Sequence, residues 1–127
     1  MGSERRQFVR VPVKIRMLIK EEEGSGELYF MSKNLSIGGV FLVSDLLLES
    51  GVRVYLEFTL PHRPNLIIVK GEIVWAKDEA EEGISGGMGL RFLNLDSESE
   101  KIITEFIDQK FVQKSVHTKK RAAHGGS

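Results

Sequence analysis

The strongest constraint on the fold is a two-residue alternation of apolar and polar side chains, which recurs along most of the chain. It is clearest in the first such segment, where alternate positions are apolar: Val11, Val13, Ile15, Met17 and Ile19. A period of two places neighbouring side chains on opposite faces, as in a strand that covers a core with one face. The segment therefore predicts a half-buried β-strand.

Five further segments carry strand-like apolar patterns, separated by short turns rich in Gly, Pro or acidic residues. They lie within residues 27–32, 40–43, 52–60, 67–75 and 88–92. Only the last part of the chain changes period, where Ser97 and Glu100 form a capping-box pattern and apolar residues follow at helical spacing. The sequence thus predicts a mostly β protein, a six-stranded antiparallel β-barrel with one C-terminal α-helix.

Length and composition narrow the class of protein. With 127 residues, the chain favours one domain with a core of its own. It contains no Cys, which excludes disulfides, thiolate metal sites and cysteine nucleophiles. No apolar run approaches the ~18 residues of a membrane span, and the N-terminus lacks the apolar region of a secretory leader. We therefore expect a cytoplasmic protein without a membrane span.

Charge is balanced overall and biased locally. The 18 basic and 18 acidic residues give no net charge, which disfavours a chain that coats nucleic acid. Between residues 4 and 20, however, only Glu4 opposes a group of cations: Arg5, Arg6, Arg10, Lys14, Arg16 and Lys20. An anion is therefore expected to bind at this segment.

Enzyme chemistry has little support in the sequence. The histidines, His62, His117 and His124, lie in a loop and a tail, where no acid–base or metal-binding geometry is indicated. The acidic clusters lie in predicted turns, and no glycine-rich phosphate-binding loop precedes the helix. We expect neither catalytic activity nor a metal site or cofactor.

Two short stretches are candidate binding sites. Arg6 and Arg10 precede the first strand, and guanidinium groups pair bidentately with phosphates and guanine edges. They can hold a charged purine ligand, or they can form a solvated flank of the strand.

The second stretch is residues 34–39. The side chains of Asn34 and Ser36 would point to one face, and Gly39 would let a ligand approach the backbone. A turn in which Asn34 and Ser36 bond their own backbone explains the same residues.

Together the two stretches resemble the PilZ domain family, which carries an R-x-x-x-R box before the first strand and a D/N-x-S-x-x-G box after the second. All five motif positions are filled: Arg6, Arg10, Asn34, Ser36 and Gly39. Residues 69–75 and 87–92 are similar to the last two strands of that family. The resemblance covers roughly residues 5–112.

The resemblance implies a bacterial receptor for cyclic di-GMP with a PilZ-like barrel. The motif arginines would hold the phosphates and guanine edges, Asn34 would bond a guanine, Ser36 would donate to a phosphate or base, and Gly39 would leave room. In this family an Arg before the first box accompanies a stacked ligand pair, so Arg5 implies two ligands per chain. Trp75 would stack on a guanine, or it would lie in the core.

The expected organisation is a disordered N-terminal arm (1–4), a PilZ-like domain (5–112) and a disordered basic tail without apolar periodicity (113–127).

The leading function is an adaptor that changes conformation on binding cyclic di-GMP and signals to an unidentified protein partner. One alternative is a PilZ-like protein-interaction module that does not bind nucleotide. A second is a barrel that binds single-stranded nucleic acid, which is disfavoured because only Phe8 is an aromatic residue near the arm.

Overall fold

The structure is a computed structural model that describes residues 9–44, 46, 48–77 and 86–126, with the backbone alone for residues 77 and 112–126. These residues form seven strands and one helix: β1 (Val11–Pro12), β2 (Arg16–Glu21), β3 (Glu27–Leu35), β4 (Gly39–Val43), β5 (Arg53–Phe58), β6 (Ile67–Lys77), β7 (Gly87–Leu93) and α1 (Ser97–Gly126). The element order confirms the predicted class, a mostly β chain that ends in a helix.

The strands form one antiparallel sheet in the order β1-β3-β2-β5-β6-β7-β4, and an added pairing of β3 with β4 closes it. Six strands, β2 to β7, therefore make the predicted barrel, and β1 is one extra short strand on β3. Closure removes the free edges of the barrel, which would otherwise expose unpaired backbone groups.

Alternate residues of the strands fill the barrel, as the two-residue period predicts. Met17 of β2, Leu42 of β4, Leu56 of β5 and Ile73 of β6 are fully buried. Helix α1 adds Ile103, Phe106 and Ile107 to the same core cluster. Since each such side chain contributes about 1.5–3 kcal/mol when fully buried, burial alone can hold a chain that has no disulfide.

The first predicted strand is divided in two. Pro12 pairs with Asn34 and Arg16 pairs with Met31, so the first segment uses one residue more than β3 over this span. Ser32 bridges the interruption, because its buried hydroxyl donates to the Val13 carbonyl at 2.5 Å and accepts from the Ile15 N–H at 3.0 Å. The extra residue is a bulge that this side chain satisfies, and the strand period alone does not reveal it.

Helix α1 begins at Ser97, but the residue before it caps the first turn. The Asp96 carboxylate accepts from the Ser99 N–H at 2.7 Å, and the Asp96 carbonyl accepts from the Glu100 N–H at 2.9 Å. Asp96 thereby satisfies donors that have no partner within the helix. The hydrogen bonds from Ser99 lower the pKa of Asp96 below its ordinary value of 3.8.

Replacing Asp96 with Ala is expected to lower the melting temperature at neutral pH. Because the pKa of Asp96 is lower in the folded chain than in the unfolded chain, ionised Asp96 stabilises the fold at neutral pH, and this contribution disappears as the pH falls through the folded value. Thermal denaturation of both proteins from about pH 7 to about pH 2.5 should show the difference in melting temperature shrinking in acid. A difference that grows in acid would contradict this account.

The helix is longer than the sequence predicts. Its backbone continues to Gly126, through the stretch for which the sequence favours a disordered tail. Lys, Arg and Ala in that stretch are strong helix formers, and extending an existing helix costs much less than starting one. In the described part of the chain, no helix combines the length and the apolar character that crossing a membrane requires.

Candidate ligand-binding site

The structure joins the two candidate stretches at one pair of side chains. Arg10, directly before β1, donates from Nη1 to the Asn34 Oδ1 of β3 at 2.8 Å. The antiparallel register of β1 and β3, in which Pro12 lies opposite Asn34, brings these residues together. Arg10 is exposed and Asn34 is half-buried. Both therefore keep donors that can reach a ligand from solvent.

Ser36 and Gly39 form a turn between β3 and β4. The buried Ser36 hydroxyl accepts from the Gly38 N–H at 3.2 Å and donates to the Gly39 carbonyl at 3.4 Å. A Cβ at Gly39 would overlap the Leu90 carbonyl of β7. The structure therefore shows Ser36 in a local turn, and Gly39 allows β4 and β7 to lie close together. Asn34 instead bonds Arg10, and ligand contacts of all three residues remain predictions.

Trp75 faces outward and lies outside the core. Its parity with Ile67 and Ile73 would place it inside the barrel, but the pairing of β6 with β7 shifts register between Ile73 and Trp75. This bulge turns the indole to the surface, where Trp75 is 44% exposed. A tryptophan at the surface is available to stack on a flat ligand.

A second aromatic ring supports the indole. Phe41 of β4 stacks on Trp75, with ring centroids 5.2 Å apart and an angle of 22° between the planes. Gly87 and Gly89 of β7 make room for the two rings, because a Cβ at Gly87 would overlap Phe41 and one at Gly89 would overlap Trp75. The rings therefore lie flat against β7 and form a rigid platform.

The platform lies in the same row of the sheet as the polar pair. Asn34 is opposite Phe41, Phe41 is opposite Gly89, and Gly89 is opposite Trp75. We call Arg10, Asn34, Phe41 and Trp75 the ligand surface. Phe41 was not among the site residues predicted from the sequence. Its position between the apolar Val40 and Leu42, which are both buried, could have indicated that its ring points outward.

Other charges border this row. The Lys33 ammonium lies 5.9 Å from the centre of the Phe41 ring. Arg91 of β7 is opposite Gly39 and donates to Glu72 at 2.8 Å. Arg91 is therefore neutralised by a carboxylate, whereas the partner of Arg10 among the described residues is a neutral amide. Of the two arginines, Arg10 retains more of its attraction for an anion.

The remaining predicted site residues, Arg5 and Arg6, lie outside the described residues. Within the described ranges, no group of His, Asp or Glu could hold a metal ion. The chemistry of the ligand surface is that of recognition, because a cation, an amide and stacked rings suit a ligand that is both flat and anionic.

Comparisons with known proteins identify the family of the barrel. The family model described as the PilZ domain matches residues 4–109. None of the curated proteins matches the chain. Domains of the PilZ family are regulatory receptors rather than enzymes.

Solved structures share the fold. The inhibitor of motility MotI/DgrA of Bacillus subtilis superposes with a TM-score of 0.73 at 21% identity, over 86% of this chain. This chain spans 52% of that protein. The PilZ domain of YcgR from Escherichia coli, solved with c-di-GMP, gives a TM-score of 0.66 at 17% identity, over 92% of this chain and 98% of that one.

A third structure, PlzA of Borreliella burgdorferi in complex with c-di-GMP, gives a TM-score of 0.56 at 16% identity, over 84% of this chain and 42% of that one. At these identities the structures show the fold alone. The family model covers most of the chain, and the barrel with its terminal helix agrees with it. The chain belongs to the PilZ domain family.

Proposed function

We propose that the chain is a cytoplasmic receptor domain for cyclic di-GMP that signals to a protein partner. One observation carries the proposal: the contact between Arg10 and Asn34, which joins both family boxes beside an outward aromatic platform. The solved relatives YcgR and PlzA support it, since both were solved with this nucleotide.

The polar pair can accept the ligand without breaking its own contact. Asn34 uses its carbonyl oxygen to bind Arg10, which leaves its amide hydrogens for the O6 and N7 acceptors of a guanine. Arg10 uses one of five N–H groups and keeps the others for a phosphate. The contact therefore holds both groups in position before the ligand arrives, which lowers the entropy cost of binding.

Trp75 would stack on a guanine. Its exposed face and its support by Phe41 suit a contact with a second flat ring. Arg5 and Arg6 would complete the site from the N-terminal side, and Arg5 would favour two ligands per chain. If Arg5 and Arg6 move over the bound ligand, the surface available to a partner changes. This change would transmit ligand binding to the partner.

Trp75 provides the test, because it is the only tryptophan of the chain. Titration with cyclic di-GMP is expected to quench its fluorescence saturably, since a stacked guanine contacts the indole directly. GTP at twice the concentration, which matches the two guanines of cyclic di-GMP, is the control for absorption by guanine and should give no saturable change. Equal effects of both nucleotides, or no quenching, would contradict the proposed stacking.

A second candidate is a PilZ module that binds a protein and no nucleotide. The turn favours it, because the Ser36 hydroxyl is already bonded within the chain and Gly39 is needed for strand packing. Two of the five motif residues therefore have structural roles that require no ligand. Binding of a partner without any response to cyclic di-GMP would support this candidate.

A further inference from the structure

Two adjoining cavities beside the bulge form a groove that borders the ligand surface at Lys33, whose ammonium lies 5.9 Å from the centre of the Phe41 ring. One, of about 680 Å³, lies between residues 15–16 and the loop 59–64. The other, of about 760 Å³, continues along residues 12–14 to β3 and α1. Pro61 lines both cavities, and no residue of the ligand surface lines either. We call the two together the basic groove.

Among the residues that the structure describes, the lining of the basic groove carries basic side chains and no carboxylate. Its basic residues come from four parts of the fold: Lys14, Arg16, Lys33, His62, Arg63 and Lys110. In a chain with as many acidic as basic residues, such a lining is a local concentration of positive charge. It attracts an anionic partner and raises its rate of association.

Two lysines elsewhere on the barrel are paired with carboxylates. Lys20 binds Glu57 at 3.0 Å, and Lys70 binds Glu22 at 2.5 Å. Among the described residues, by contrast, neither Lys14 nor Lys110 nor Lys33 makes a salt bridge. These three lysines of the groove therefore differ from Lys20 and Lys70, whose charge a described carboxylate neutralises.

Packing holds two of these cations in place. The Arg63 guanidinium lies 5.6 Å from the centre of the Phe106 ring, and the Lys110 ammonium lies 5.5 Å from the same centre. Arg63 also donates to the Gln109 Oε1 of α1 at 2.6 Å. Because these contacts fix the side chains in advance, a partner loses less entropy on binding them.

The shape and chemistry of the groove fit an extended acidic peptide. Residues 12–16, which border it, span roughly 16 Å at about 3.3 Å per residue, the length of about five residues of peptide. Apolar side chains with exposed surface, among them Met31 and Pro64, line it between the cations. Single-stranded nucleic acid needs several exposed aromatic rings to stack its bases, and His62 is the only aromatic side chain among the described residues of the groove lining.

We propose that the basic groove binds an acidic, partly apolar segment of a partner protein. This binding would explain how the adaptor contacts its protein partner. It rests on the proposed function only because it requires that such a partner exists. Its test uses no cyclic di-GMP, so failure of the groove and failure of nucleotide binding are distinguishable.

The test measures fluorescence anisotropy of a labelled peptide of about ten residues that contains glutamates and leucines. The full chain is compared with the double variant Lys14→Glu, Lys110→Glu and with Lys101→Glu, an exposed helix position outside the groove lining. We expect saturable binding that high salt weakens, a loss of about tenfold or more in the double variant, and a change below about twofold in Lys101→Glu.

Three results would overturn the proposal. The first is no binding of the peptide, or equal loss in the Lys101→Glu control. The second is tighter binding of a labelled oligothymidylate than of the peptide, which would indicate a nucleic-acid surface. The third is binding only after the acidic residues Asp78, Glu79, Glu81 and Glu82 are changed to their amides, which would make this chain the source of the anionic occupant. Circular dichroism checks that each variant is folded.

Discussion

Replacing Arg10 with Ala is expected to weaken cyclic di-GMP binding about tenfold or more. A hydrogen bond to a charged group such as a phosphate contributes about 1.5–3 kcal/mol, and about 1.4 kcal/mol changes a dissociation constant tenfold. The variant also releases Asn34 from its 2.8 Å contact, which adds an entropy cost to any guanine contact that Asn34 makes. Calorimetric titration of native and variant proteins measures the loss.

The fold should not suffer from this change. Arg10 is exposed, and exposed substitutions usually change stability by no more than about 0.5 kcal/mol. Arg53→Ala is the matched control, since Arg53 is an exposed arginine of β5, outside the ligand surface, and should bind the nucleotide normally. Unchanged affinity in Arg10→Ala would remove Arg10 from the site, and unfolding of that variant would show that its role is structural.

Replacing Gly39 with Ala is expected to destabilise the barrel by about 3 kcal/mol or more. The new Cβ would overlap the Leu90 carbonyl, and overpacking of a well-packed core typically costs about 1–3 kcal/mol even where side chains can move. Here the new Cβ would collide with the backbone of the paired strand β7, which cannot move as a side chain can, so β4 and β7 must separate. Urea denaturation measures the loss as a lower midpoint.

Gly26→Ala is the control for this change. A Cβ at Gly26 would meet no atom within 4 Å, so its midpoint should stay close to that of the native chain. If Gly39→Ala is as stable as the native chain and loses only nucleotide affinity, the strand-packing role given to Gly39 is wrong. If it unfolds, loss of binding in that variant says nothing about ligand contact.

The alternation of side chains was sufficient to predict the strands of the barrel, and the change to helical spacing after Ser97 predicted the terminal helix. Met17 and Leu56 are buried because their segments keep a strict period of two. The same rule failed at Trp75, where a bulge after Ile73 reverses the direction of the side chain. Bulges depend on the partner strand, so a rule that considers one strand at a time does not predict them.

The candidate site was predicted in part for the same reason. The residue types of Arg10 and Asn34 indicated recognition of an anion, but their direct contact depends on the register between β1 and β3. Phe41 was missed because its role comes from stacking across two strands. Spacing along the chain indicated the polar pair, whereas the aromatic platform of Phe41 and Trp75 emerges only from the packing of strands.

The most direct test of the central claim is calorimetric titration of the native chain with cyclic di-GMP at near-physiological salt. GTP and the linear dinucleotide serve as controls, since both carry guanine and phosphate without the cyclic geometry. We expect saturable binding that is selective for cyclic di-GMP, with two ligands bound per chain if Arg5 acts as proposed. One ligand per chain would contradict the role of Arg5 alone. No binding heat together with no thermal shift would contradict the receptor function and favour the module that binds only a protein.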